Sequence, residues 1–283
     1  MFLIIFLSFS VFFIFFVNLF TSNILVWWSG FLLMTIIFVF INKNLYCYAG
    51  LLNYFIIQEV LGLFFIFSFM EGFQFFFLLM KVGVSPLHFW VFNVLEGVYG
   101  WGIMWFLTFQ KLPFLPVLLV LVDFFFFVFI VLGIFFCYFQ MLILKDYKKL
   151  IIISSTESFS WLILVGYFNF FNMYFLFFYY FFLMCFMLPY LNNFYFNFFN
   201  WELVLVFLNM PFTFTFFVKI FSLSFIFFYN SFLFLFILFL MFLSMISFSF
   251  FLVNLSVMNF SNIQYSLKYN YFFLIPFIFL ILI

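Results

Sequence analysis

The sequence predicts an all-α polytopic membrane protein of about eleven transmembrane helices, two of them interrupted. Three observations carry that expectation. Of the 283 residues, 72% are hydrophobic and only 5% are charged, whereas a soluble domain carries about 25% charged residues. Such a chain cannot cover a surface that faces water. Short polar joints then divide it into apolar stretches of about 20 residues, the length that crosses a hydrocarbon core. Those stretches are too long for barrel strands of about ten residues. Backbone groups in hydrocarbon must be bonded within their own segment, so the stretches are helices.

In chain order the expected spans cover residues 2–20, 24–41, 45–69, 73–92, 98–119, 124–144, 150–168, 171–189, 203–229, 231–253 and 265–283, forming one transmembrane domain over 1–283. The first is expected as a retained span, because no charged leader or small-residue cleavage site accompanies it. Asn42-Lys43-Asn44 separates the second from the third. Lys145-Asp146-Tyr147-Lys148-Lys149 separates the sixth from the seventh, the asparagines from Asn192 to Asn200 follow the eighth, and Asn254 to Lys268 is the last polar connector. Lys43, Lys145, Lys148, Lys149 and Lys268 all follow even-numbered spans, while the odd-numbered joints carry Glu71 and Asp123 and no lysine. Basic joints stay on the side of synthesis. The N-terminus is therefore expected inside and the C-terminus opposite. Trp27, Trp28 and Trp201 read as anchors at the membrane interface.

Several chemistries find no residues to support them. Cys47, Cys137 and Cys185 are isolated in apolar surroundings and no C-x-x-C pair exists, which argues against iron–sulfur and zinc sites. They read as buried thiols acting as small hydrophobes. The chain has no Gly-rich dinucleotide fingerprint and no phosphate loop. Its net charge of +1 does not point to a nucleic-acid partner.

Five ionisable residues stand out because they fall inside expected spans. Lys81, Lys111 and Lys219 each lie at least eight residues from the nearer end of the span. An ionisable group at the centre of a lipid-embedded helix costs about 2.5–3.5 kcal/mol on insertion scales. Either these lysines snorkel to the headgroups, or they share a wet interior or partners. Glu59, beside Gln58 in YFIIQEVLG, reads as the buried anion. It eases insertion by pairing with a lysine, exchanges protons with it, or does both. An ammonium in apolar surroundings is readily deprotonated.

Ser85-Pro86 interrupts its span just after Lys81, and Pro211 does so eight residues before Lys219 with Thr213 and Thr215 between. Non-helical backbone at membrane depth is tolerated where it lines a cavity. Transporters build ion sites on such interruptions. His88, the only histidine, follows the first break. It reads as a satisfied structural group or as a proton relay within reach of water.

MKVGVSPLHFWVFNVLEG (80–97) and LTFQKLP (107–113) resemble the antiporter-like membrane subunits of mitochondrial complex I known as NADH dehydrogenase subunit 2. That family's pattern is close to M-K-x-G-x-x-P-x-H-F-W-V followed by T-W-Q-K-L. KKLIIISSTESFSW (148–161) resembles its basic joint and K-x-x-x-x-S-S helix. LNMPFTFTFFVK (208–219) resembles its L-P-P-x-x-G-F-x-x-K segment, and YFIIQ (54–58) matches as well. The 69 phenylalanines and the absence of arginine suggest T-rich mitochondrial coding, and the bias with the short length looks nematode-like.

The resemblance implies an antiporter-like fold in the mitochondrial inner membrane, with other membrane-arm subunits and lipids as partners. It implies proton translocation coupled to NADH oxidation by ubiquinone. NADH, FMN, the iron–sulfur clusters and ubiquinone would be held elsewhere in the complex, and this chain would bind no cofactor. Lys81 would be the lysine of the first broken helix, Lys111 the central lysine and Lys219 that of the second broken helix. Departures exist: Leu32 stands where the family has a glutamate, Asn53 where it has a lysine, and Ser158, beside Glu157, where it has a histidine. Glu59 is expected to replace the missing carboxylate. Two other readings remain: a free-standing cation/proton antiporter, and a scaffold whose lysines only satisfy packing.

Overall fold

The structure is a computed structural model that describes residues 2–43, 48–98, 100–122, 124–144, 147–168, 174, 177–178, 180–181, 219–220 and 231–258. These residues are helical, with turns and no strand among them. The expected spans 171–189, 203–229 and 265–283 lie outside the described residues, apart from the few positions named above. So do the break at Pro211, Trp201, Cys47, Cys185, Asp123, Lys145 and Lys268.

The helices are α1 (Phe2–Phe20), α2 (Ile24–Asn42), α3 (Tyr48–Phe67), α4 (Glu71–Val82), α5 (Phe89–Leu95), α6 (Trp101–Leu107), α7 (Phe114–Leu121), α8 (Phe124–Ile143), α9 (Tyr147–Phe168) and a further helix, Ser231–Met258. By length and composition, three stretches among the described residues can cross a membrane: Ile24–Asn42, Tyr48–Phe67 and Lys148–Tyr167. The described residues fall into two compact units, one up to Ile130 and one from Val131 onward.

In the first unit the joints close on their own polar residues. Asn23 caps α2, its side chain accepting from the Leu25 amide at 3.0 Å, as an N-cap asparagine should. Trp27 is buried, and its indole N–H donates to the carbonyls of Asn18 and Thr21. It therefore ties the α1–α2 turn from inside instead of anchoring at an outer interface. Lys43 lies exposed beyond α2, with its ammonium 4.4 Å from the centre of the Phe40 ring. Outward-facing phenylalanines such as Phe6, Phe9, Phe13 and Phe20 make a surface suited to lipid and not to water.

α3 packs on α2, α4 and α5, α7 on α1 and α4, and α2 on α6. Aromatic rings fill the space between them. Phe31 stacks on Phe114 at 4.3 Å, and Phe38 meets Tyr54 at 4.5 Å and Phe106 at 5.3 Å. Offset and edge contacts at these spacings add to the plain burial of the rings.

Two expectations need correction here. Residues 98–119 do not form one helix. α6 ends at Leu107, turns run from Thr108 to Pro113, and α7 starts at Phe114. Proline lacks the amide hydrogen and disfavours helical geometry in the residue before it, so Pro113 closes a break. Pro116 sits in the first turn of α7, where its missing donor is tolerated. Two of the expected polar joints are also helical among the described residues. Lys148 and Lys149 already belong to the first turn of α9, and Asn254 is still within the Ser231–Met258 helix. Both sets of polar residues keep helical backbone, since neither contains a proline or glycine that would interrupt it.

Candidate functional site

The first break begins earlier than the proline. Gly83 ends α4 in the left-handed region, with φ 74° and ψ 45°, and its amide donates to the carbonyls of Leu79 and Met80. The Val84 amide returns to Leu79 at 3.0 Å, a glycine-based helix stop. Ser85-Pro86 follows as a cis peptide, and α5 starts after His88. The helix-end carbonyls still need donors. Side chains supply two: the Trp90 indole donates to Met80 at 2.9 Å and the Gln58 amide to Lys81 at 2.8 Å. A break at this depth is therefore stabilised from α3 and α5.

Lys81 thus lies in the last turn of α4, not deep inside a continuous helix. It is nonetheless buried. Its ammonium sits 5.3 Å from the centre of the Phe31 ring, within reach of a cation–π attraction. Gly62 of α3 leaves it room: a Cβ there would come within 3.1 Å of Lys81 Nζ and 3.3 Å of the Trp28 indole nitrogen. Among the described residues no hydrogen-bond acceptor reaches Lys81 Nζ.

Glu59 is not the fully buried anion expected. It is half-buried, and its Oε1 accepts from the Thr35 hydroxyl at 3.3 Å. The same hydroxyl donates to the Leu32 carbonyl at 2.8 Å. The Glu59 carboxylate is thereby brought beside the turn of α2 that holds Leu32. No hydrogen bond joins it to Lys81. His88 is fully buried, stacked on Phe89 at 5.2 Å and met edge-on by Phe92 at 5.5 Å. Aromatic rings wall it in, so the reach to water expected from its place after the break is replaced by burial.

Lys111 lies buried in the turn between α6 and α7, a second break that the sequence did not announce. The Asn18 amide donates to the Pro113 carbonyl at 3.0 Å, and the Gln110 amide donates to the Tyr54 hydroxyl at 2.6 Å. Tyr54 and Gln58 are four residues apart on α3, hence on one face. One ridge of α3 therefore fastens both breaks. Tyr54→Phe leaves the buried Gln110 amide short of a partner. The expected cost is about 1–3 kcal/mol, seen as a lowered midpoint of thermal inactivation in the purified assembly. An unchanged midpoint means that the bond stabilises nothing.

In the second unit the buried anion is Glu157, on α9. Its Oε1 accepts from Lys219 Nζ at 2.6 Å and from the Tyr138 hydroxyl at 2.8 Å. Tyr138 in turn accepts from the Trp161 indole at 3.2 Å. The Lys219 ammonium also lies 5.4 Å from the centre of the Trp161 ring. Around them Ser154, Ser155, Thr156 and Ser160 are buried and donate to carbonyls three or four residues back on α9. Those bonds remove the hydroxyls' need for water. The sequence named Lys219 but passed over Glu157 as the neighbour of Ser158. Its signal was the one used for Glu59, a carboxylate mid-span.

These features define a helical membrane protein that keeps ionisable side chains in its interior, at helix breaks and in a buried ion pair. No family model matches the chain. It is 50% identical over 265 residues to NADH-ubiquinone oxidoreductase chain 2 of Ascaris suum, covering 92% of this chain and 86% of that one. It is 48% identical over 275 residues to the protein of the same name from Caenorhabditis elegans, covering 97% and 98%. The chain belongs to the NADH-ubiquinone oxidoreductase chain 2 family.

Proposed function

We propose that this subunit of mitochondrial complex I supplies a proton path in the membrane arm, with Lys81, Lys111 and Lys219 as its charge-carrying groups. The observation that carries the reading is the burial of all three lysines, two at breaks in the helical backbone. Burying an ammonium in a bilayer is costly, and irregular backbone at membrane depth is tolerated where it lines a cavity. Glu59 biases Lys81 through space, taking the part of the carboxylate absent at Leu32. His88, buried against Phe89 and Phe92, serves the first break as a structural group and not as its link to water. Electron transfer takes place elsewhere in the complex, and a charge change at one lysine is felt by its neighbours through a medium of low dielectric constant. The fold is antiporter-like, in the inner membrane, with the N-terminus and Lys43, Lys148 and Lys149 on the matrix side and the C-terminus facing the intermembrane space. Other membrane-arm subunits and lipid cover the phenylalanine surface.

Lys111→Met tests the reading, because methionine keeps the length and apolar stem but cannot carry a proton. The variant complex should assemble and still accept electrons from NADH, while proton translocation in sealed vesicles falls by about tenfold or more. Full translocation per NADH oxidised would favour a scaffold. Glu59→Gln, read in the same assay, should slow translocation, and an unchanged rate removes Glu59 from the path.

A further inference from the structure

The pair in the second unit has a polarity that the lysines alone do not reveal. Lys219 Nζ and the Tyr138 hydroxyl both donate to the same oxygen, Oε1 of Glu157. Tyr138 spends its acceptor side on the Trp161 indole. An indole N–H only donates, so the order is fixed: Trp161 to Tyr138 to Glu157, met from the other side by Lys219. A proton cannot be passed out through Tyr138, because that hydroxyl would need replacement of its proton from an indole that holds its own. The tyrosine limb is a clamp. Among the described residues, exchange on Oε1 falls to Lys219, at 2.6 Å, within the range for direct proton transfer.

We propose that Glu157 is the counter-ion that takes and returns the proton of Lys219, while Tyr138, locked by Trp161, holds the carboxylate in place. In the forward step an N–H bond of the ammonium breaks and an O–H bond forms on Oε1, leaving a neutral amine beside a carboxylic acid. The reverse step restores both charges. Tyr138 keeps its donation to the other lone pair of Oε1 throughout, so the acceptor does not follow the lysine when the lysine moves. Glu157 exchanges the proton, and Tyr138 and Trp161 are positioning residues. The inference rests on the proton path proposed above and adds the group with which its third lysine trades.

The test uses the whole complex in sealed membrane vesicles, with assembly, NADH oxidation and proton translocation read separately. Glu157→Gln keeps the shape and a carbonyl acceptor but cannot cycle a proton; translocation should fall about tenfold or more in assembled complex. Tyr138→Phe should lower it about two- to threefold, and add nothing in a Glu157→Gln background, because residues of one network are not additive. A merely packing role predicts additive losses and would overturn the clamp. Should Glu157→Gln fail to assemble, infrared difference spectra of the working complex carry the test. A protonated carboxylic acid should appear during turnover, with a C=O stretch that moves in Tyr138→Phe. No acid band sensitive to Tyr138 overturns the proposal. Lys219→Met separates the two layers. If it translocates fully, the proton path itself falls. If it does not while Glu157→Gln does, the path stands and Glu157 has no part in it.

Discussion

Lys219→Met should destabilise the second unit by about 3–5 kcal/mol, the usual cost of removing one partner of a buried ion pair. The methionine fills nearly the same space, so little of that loss is packing. It arises because Glu157, with no exposure to solvent, loses the cation 2.6 Å from its Oε1. The Tyr138 hydroxyl still donates to that oxygen, but one hydrogen bond to a charge contributes about 1.5–3 kcal/mol and does not replace a counter-ion. The expected result is a lower yield of assembled complex on native gels and a lower midpoint of thermal inactivation. Adding Glu157→Gln to Lys219→Met should recover part of both, because the site then holds no charge. Translocation should stay lost. If the single variant is as stable as the natural protein, the ion pair is not a structural element of this unit.

How far the sequence reached depended on the range of the interaction. Helices α1, α2, α3 and α8 were legible to within a few residues, because each is an apolar run closed by a local polar joint such as Asn23 or Asn42-Lys43. The first break was legible from Ser85-Pro86, yet its stop is Gly83, whose role depends on a backbone angle. The second described break was missed. Its closing bond is long-range: Asn18, 95 residues away in sequence, donates to the Pro113 carbonyl. With 69 phenylalanines distributed through the spans, most faces are apolar, and periodicity does not separate the buried side of a helix from the lipid side.

The same limit explains the anions. Glu59 and Glu157 are both mid-span carboxylates, and local sequence ranks them equally. Their partners decide between them. Lys219 is 62 positions from Glu157 and bonds it directly, while Glu59 ends on Thr35 of the next helix. Burial of a charge in a membrane protein is a statement about a partner, and partners are set by packing between helices. The lysines were legible because an ammonium in hydrocarbon is conspicuous wherever it lies. Which lysine is held by an anion and which is packed against a ring was not.

Gly83→Val is expected to damage the first break more than any polar substitution around it. The residue adopts φ 74°, a region that L side chains enter at a cost of about 1–2 kcal/mol and that β-branched ones rarely enter at all. Space is short as well: a Cβ at this position would lie 2.5 Å from Cγ2 of Val91, and overfilling a packed site costs about 1–3 kcal/mol. The backbone must then leave the left-handed region, and the amides of Gly83 and Val84 lose the carbonyls of Leu79 and Met80. That shift moves the carbonyls that Gln58 and Trp90 hold, and with them the Lys81 side chain. The expected outcome is less assembled complex, and in what assembles, translocation reduced further than NADH oxidation. Gly83→Ala should move the same way by a smaller amount, since it brings the strained angle and the close Cβ but no branch. Normal assembly and translocation in Gly83→Val would mean that the break tolerates a right-handed stop, and that Lys81 is positioned by α3 alone.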